Sequence, residues 1–342
     1  MNAPYHFPEA SLIDALRSAG LSPAQPVLRF DGNVCRFDIE GRKRGKKHGW
    51  FVGHREGLDA WGCFGDWLTG FQQAWSLRNR QTMSPEERAA LDLRMAEVRK
   101  AADVERQRLA SIAKDKAQTD WDRANDVNAT HPYVKAKGVL PYGARQLRDM
   151  LLIPLWGVGE LVNLQIIGAD GGKRFLTGGQ VKGASLVLGQ ITGTANVLLC
   201  EGWATGCTLH QATNLPVVVA FYAHNLETIA GWLASTLPED VQVLVCGDAD
   251  ESQTGQKAAL RAARLLQGRG RSVVPVFTQE QAEQYRQLHG KAPSDYNDLH
   301  QLAGLEAVAG AVLVPANTEK APHLAMSDDV FTSNDHAPMP PQ

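Results

Sequence analysis

No apolar run in this chain approaches 18 residues, which excludes a membrane-spanning helix. Cysteine is scarce, five in 342 residues, and none forms a Cys-x-x-Cys pair. No disulfide framework can be read from that spacing, so a reducing, cytoplasmic setting is expected. The start, Met1-Asn2-Ala3-Pro4, lacks both a charged opening and an apolar stretch, so no signal peptide is expected. Neither sign of charge dominates: the net charge is −2 with 21% charged residues. Bulk charge therefore marks no polyanion binder, and any such surface must be local. The hydrophobic fraction of 44% is enough for real cores, and the length allows two or three domains.

Residues 1–78 form a Trp- and Gly-rich module. A helix is expected from Pro8 to Ala19, ended by Gly20, followed by strands at 34–39 and 49–54 and an apolar patch at 60–67. Between the strands runs Gly41-Arg42-Lys43-Arg44-Gly45-Lys46-Lys47-His48, and residues 29–55 carry eight Lys or Arg against three acids. A basic turn between aromatic strands fits a nucleic-acid surface, with cations on phosphates and rings on bases. The same residues also fit a solvated turn. Cys35, His48, His54 and Cys63 have no close ligand spacing, so a zinc-free module is expected, with His48 exposed and Cys63 among aromatics.

Residues 79–130 read as a helical connector. Ser84-Pro85-Glu86-Glu87 combines an N-cap, Pro at the first helical position and a capping box. Leu91, Met95 and Val98 widen a thin apolar stripe on a helix expected to be mostly exposed. Residues 131–194 form a basic, Gly-rich subdomain: a short helix ending at Gly138, a hairpin over 151–167, and Lys173, Arg174 and Lys182 among glycines. Residues 195–314 switch to strand–helix alternation. Strands are expected at 196–200, 216–221, 241–246 and 272–277, with helices at 203–213, 225–236 and 254–268, a doubly wound parallel domain. Residues 315–342, rich in Pro, Asn, Ser and Asp, are expected to be disordered.

Two buried-strand patterns end in acid: Val197–Cys200 before Glu201, and Val243–Cys246 before Gly247-Asp248-Ala249-Asp250. Parallel sheets present their working groups at strand carboxyl ends. Carboxylates gathered there repel one another unless a cation joins them, and hard oxygen ligands suit Mg²⁺ or Mn²⁺. Alternate residues of extended chain can chelate one ion, whereas an acidic turn could equally cap the next helix through Asp250 or Ser252. Glu201 at the neighbouring strand end decides for metal. Asp295 and Asp298 follow the last strand, where a second ion site and a helix cap both fit. Asn225 fits a ligand contact or an N-cap, and His210 ordinary packing.

Glu201-Gly202, Asp248-Ala249-Asp250 and Asp295/Asp298 together resemble the TOPRIM domain of bacterial-type primases, topoisomerases and some nucleases. The segments 167–176 and 182–183 are similar to the basic subdomain that precedes it in those primases. Residues 49–54 and 62–70 resemble the opening module of phage and plasmid primase-helicases. The resemblance implies an α/β fold: a parallel-sheet TOPRIM domain preceded by a mixed α+β subdomain, a long helix and a small N-terminal α+β module. It implies a Mg²⁺- or Mn²⁺-dependent primase making short primers on single-stranded DNA from nucleoside triphosphates, with no membrane partner. Glu201, Asp248 and Asp250 would be catalytic and metal-binding, and Asp295 and Asp298 would extend the metal network. Lys173, Arg174, Lys182, Arg42, Lys43, Arg44, Lys46 and Lys47 would meet nucleic acid or nucleotide. Thr205 stands where many relatives carry a second acid. No Gly-rich phosphate loop ending in Lys-Ser/Thr is present, so a separate replicative helicase is expected. A metal-dependent nuclease and a non-catalytic single-strand-binding replication adaptor are the alternatives.

Overall fold

The computed structural model describes residues 8–313, apart from 26–27, 43, 46, 58, 68, 70, 79–82 and 252. Lys43, Lys46, Ser252 and the expected 315–342 tail lie outside the described residues. Among the described residues no helix is long and apolar enough to cross a membrane.

Helix α1 (Pro8–Ser18) buries Leu12 and Leu16, four residues apart and so on one face. It covers an antiparallel sheet ordered β1 (Cys35–Phe37), β2 (Gly49–Glu56), β3 (Asp59–Asp66) and β4 (Phe71–Ser76). Both faces of this sheet are apolar, which explains its aromatic content. Phe51, Phe64 and Trp75 face α1, while Trp50, Val52, Trp61 and Cys63 face the other way. Gly62 is required where the strands cross: a Cβ there would stand 2.1 Å from the Val52 carbonyl oxygen. Cys35 pairs with Phe51 and Cys63 with Val52, so the two thiols lie on opposite faces and cannot share a metal. Cys63 is buried among tryptophans as expected, but His48 is half-buried rather than exposed.

Helix α2 (Pro85–Asp122) opens with the expected capping box of Ser84 and Glu87. It is mostly exposed, as its polar composition predicts, but it is anchored at two short buried stretches. Leu91, Met95 and Val98 are buried against Trp50, Val52, Trp61 and Cys63. Two turns from its far end, Ala113 and Ala117 are buried against Leu152, Leu161, Leu164 and Ile166 of the next sheet. Small side chains there let the helix backbone approach the sheet closely.

That second sheet is antiparallel: β5 (Arg145–Leu147), β6 (Met150–Gly157), β7 (Glu160–Ile167) and β8 (Lys173–Phe175), in chain order. It follows α3 (Pro132–Lys137), which His131 caps and Gly138 ends at φ 60°. The third sheet has order β13 (Gly270–Val273), β12 (Gln242–Cys246), β10 (Asn196–Cys200), β11 (Val217–Val219), β9 (Leu186–Leu188). Its strands are parallel except β9, which runs antiparallel beside β11. Helices α4 (Trp203–Thr213), α5 (Ala223–Thr236) and α6 (Thr254–Arg264) link the parallel strands. The expected strand–helix alternation from 196 onward is present. Upstream chain nevertheless supplies the edge strand β9. A single core also joins Ile153, Leu155 and Ile167 to Leu198, Cys200 and Trp203, so packing runs straight across 194/195. Helices α7 (Gln279–His289) and α8 (Tyr296–Leu313) complete the chain. Helix α7 has no apolar stripe to reveal it; its one signal is the Thr278–Gln281 capping box.

Candidate active site

Strands β10 and β12 are neighbours in parallel register, with Cys200 opposite Cys246. The chain therefore leaves both strands at the same sheet edge, delivering Glu201 and, one residue later, Asp248. Gly247 is required in between, because a Cβ there would lie 2.8 Å from Ala259 Cβ of α6. The third acid comes from a distance of nearly fifty residues. Ala249 N–H donates to the Ser294 carbonyl (2.7 Å), fixing the start of α8, and Asp295 with it, beside the β12 end.

The electrostatics record this gathering. Burial pushes Asp248 up to about 8, with further repulsion from Asp295, Glu201, Asp250 and Asp298. Burial likewise lifts Glu201 to about 7; Lys173 opposes the shift, and Asp250 and Asp295 reinforce it. Asp295 is raised by burial and by Asp298. Lys173, from β8, has its ammonium desolvated in this concave setting and is drawn back toward the charged form by Asp295, Glu201 and Asp248. Its Nζ lies 5.7 Å from the centre of the Tyr133 ring. Three acids and one lysine thus share one edge. Among the described residues neither Glu201 nor Asp248 forms an ion pair.

The remaining expected residues divide differently. Asp250 caps α6: its two oxygens accept the N–H groups of Thr254 (3.0 Å) and Gly255 (2.9 Å). The expected helix cap is thus present, and Asp250 also adds negative charge beside Glu201 and Asp248. Asp298 is fully buried and turned inward, accepting from the Tyr285 hydroxyl (2.5 Å) and Ser294 N–H (2.8 Å). It braces the 294–295 turn, and its charge reaches Asp248 and Asp295. Asp295 accepts the Asp298 N–H (2.8 Å), the first cap of α8. Arg174 follows Lys173 on a strand and so faces the opposite side, where its guanidinium meets Met150 Sδ. Arg42 is held by the buried Asp66 carboxylate (2.8 Å) and is a framework residue of the N-terminal sheet. Lys182, Arg44 and Lys47 are exposed. Asn225 is neither ligand nor N-cap. It is buried in the first turn of α5, where its amide donates to the Ala184 and Ala220 carbonyls and accepts the Gly183 N–H. That fastens the Gly-rich loop to the parallel sheet. His210 packs on Tyr142 and its Nδ1 contacts the Leu215 carbonyl, ordinary packing as expected.

Does this edge suit a divalent cation? Asp248 Oδ1 is buried with no hydrogen-bond partner, an acceptor with nothing to accept. A cation would satisfy it and offset the burial and mutual repulsion that raise Glu201 and Asp248. The acids are not, however, drawn to full chelating distance: among the described residues no group of three His, Cys, Asp or Glu side chains stands ready to enclose a metal. That arrangement matches Mg²⁺, which keeps several waters and takes one or two carboxylates plus substrate phosphates. Asp248 and Glu201 would hold it, with Asp295 behind them.

The raised acids set a pH dependence. A carboxylate whose folded value lies above its unfolded one stabilises the fold below the unfolded value, and that stabilisation is lost as pH rises through the folded value. Stability of the metal-free protein is therefore expected to fall by on the order of 2 kcal/mol between pH 6 and 8.5. Denaturant melts at both pH values check this, and the fall should vanish in a Glu201→Gln/Asp248→Asn variant.

Acidic strand ends lie on a mixed sheet of this order, next to a lysine-bearing antiparallel sheet. Residues 196–306 match the family model of the Toprim domain. Over a wider span it is similar to DNA primase TraC of Escherichia coli, 28% identical over 341 residues, covering 94% of this chain and 32% of that protein. A second Escherichia coli DNA primase TraC is 26% identical over 309 residues, covering 84% of this chain and 21% of its own. The chain thus spans a third or less of the length of these curated relatives. Among solved structures it is similar to the RNA polymerase domain of Mycobacterium tuberculosis primase DnaG, with 20% identity and a TM-score of 0.32 over 52% of this chain and 60% of that one. The expected likeness to plasmid-type primases carrying a Toprim domain holds.

Proposed function

We propose that this chain is a metal-dependent nucleotidyltransferase that synthesises short primers on single-stranded DNA, acting in the cytoplasm in plasmid or phage replication beside a separate helicase. The observation that carries the reading is that Glu201 and Asp248 leave neighbouring parallel strands at one sheet edge, within electrostatic reach of Asp295 and Lys173. Mg²⁺ or Mn²⁺ bound there supplies charge neutralisation for in-line phosphoryl transfer. Lys173 meets the phosphates of the incoming nucleoside triphosphate. Glu201, which would hold the ion with Asp248, assists attack by the 3′-hydroxyl. Asp250 and Asp298 act through position, one fixing α6 and the other the 294–295 turn. Lys182 and the exposed Arg44 and Lys47 contact the template backbone.

Incubation with single-stranded DNA, nucleoside triphosphates and Mg²⁺ or Mn²⁺ tests this directly. Short new oligonucleotides are expected, and a Glu201→Gln variant should make at least about 100-fold fewer. Shortening of end-labelled DNA would assign a nuclease instead. Salt-sensitive strand binding with no turnover under either metal would assign the adaptor.

A further inference from the structure

The N-terminal sheet carries a cleft of about 530 Å³ that the acidic edge does not use. Its described lining comes from residues between Ala24 and Lys47. Four exposed cations line it: Arg29, Arg36, Arg44 and Lys47. Among the described residues none of the four forms an ion pair.

The two acids in the wall serve the backbone. Asp38 accepts the N–H groups of Gly45 (2.9 Å) and Lys47 (2.7 Å), and Asp31 accepts that of Asn33 (3.0 Å). The first two bonds hold the Gly45 and Lys47 backbone beside Asp38. Gly45 at φ 81° and Lys47 at φ 44° both take the left-handed conformation there. A non-glycine residue seldom adopts it, and Asp38 makes it tolerable here by holding the Lys47 N–H. The chain thus sets four exposed cations against two acids around a concavity, with Arg29 acting on Asp31, so the lining keeps a positive balance.

Size narrows the ligand. An isolated phosphate would leave most of this volume empty, whereas 530 Å³ falls in the range that holds a molecule of nucleotide size. Three guanidinium groups bind phosphate oxygens in a fork and can also lie flat on a base.

We infer that this cleft binds one phosphorylated nucleotide unit without a metal ion, either as a free mononucleotide or as a unit of a single strand. The inference extends the nucleic-acid reading of the basic N-terminal turn, brings in Arg29 and Arg36, and is independent of the chemistry at Asp248.

Fluorescence anisotropy on the full chain in EDTA, with labelled oligodeoxythymidylate of about eight residues, tests it. Arg29→Ala/Arg36→Ala should weaken binding about tenfold and lower the salt slope by about 2. Its melting temperature should be unchanged, because both side chains are exposed. Asp248→Asn should bind as the wild type does, so failure of the polymerase reading leaves this result intact. Displacement by millimolar dTMP or ATP identifies the free nucleotide as ligand. Strand binding that resists both, yet is lost in the double variant, identifies the strand. Equal binding by wild type and double variant overturns the inference, as does equal displacement of the strand by polyglutamate.

Discussion

Asp248→Asn is expected to cost primer synthesis about 10³-fold and, at the same time, to make the metal-free protein more stable. Both effects have one origin. Asp248 is held with one oxygen buried and unpartnered, beside Glu201 and Asp295, and burial with this repulsion raises it to about 8. The fold keeps a carboxylate where folding alone would prefer none. Asparagine preserves the shape and removes the charge. Above pH 8 the melting temperature should rise by about 3–6 °C, since 1 kcal/mol moves a chain of this size by a few degrees. Activity should fall because the group that would draw a cation to the edge is gone, an electrostatic role typically worth 10²–10³ in rate. Thermal stabilisation by added Mg²⁺ should disappear with it. An Asp248→Asn protein that keeps activity within tenfold of wild type would remove the acid from the mechanism.

The second large effect concerns stability. Asn225→Ala is expected to destabilise the protein by about 3 kcal/mol. The side chain is fully buried; its Nδ2 donates to Ala184 (2.9 Å) and Ala220 (2.8 Å) and its Oδ1 accepts from Gly183 (2.8 Å). Alanine would strand two buried carbonyls and an N–H, at about 1–3 kcal/mol each less relaxation. Asn225→Asp retains the acceptor but cannot donate, and it sets a negative group against carbonyls, so it should be at least as harmful. Chemical denaturation of the three proteins decides the matter. An Asn225→Asp protein as stable as wild type would show that shape rather than hydrogen bonding matters here. Loosening of residues 181–184 should also appear as faster amide exchange at Gly183.

The sequence makes the acidic edge legible because the signal is local. A short apolar run, a glycine and an acid specify a buried strand, a tight exit and a polar tip, and two such runs in parallel must end on one side. The start of α2 is legible for the same reason, its capping box lying within four residues. What escapes is decided by partners far along the chain. Asp248 and Asp250 are chemically alike in sequence. Only the position of α6 turns Asp250 into a cap and leaves Asp248 with an idle oxygen. Asp298 reads as a ligand or a helix cap, and nothing local announces its bond to Tyr285, on a helix with almost no apolar signature. Lys173 and Arg174 are adjacent cations that a three-residue strand sends to opposite faces. The packing of α2 is hidden because five buried residues among 38 barely alter its average polarity.

Those five residues form two anchors, one ending at Val98 and the other starting at Ala113, with no buried side chain described in between. The intervening stretch, about 15 steps, makes a rod of about 22 Å, and each residue in it turns the chain by about 100°. The azimuth of the N-terminal sheet about this axis is therefore written in the residue count. One inserted residue would swing that sheet a quarter-turn away from its seat, whereas seven would return it almost to phase, about 10 Å farther out. The cleft on residues 24–47 is carried round with it, so the reach of the front of the molecule toward the acidic edge is metered by a screw.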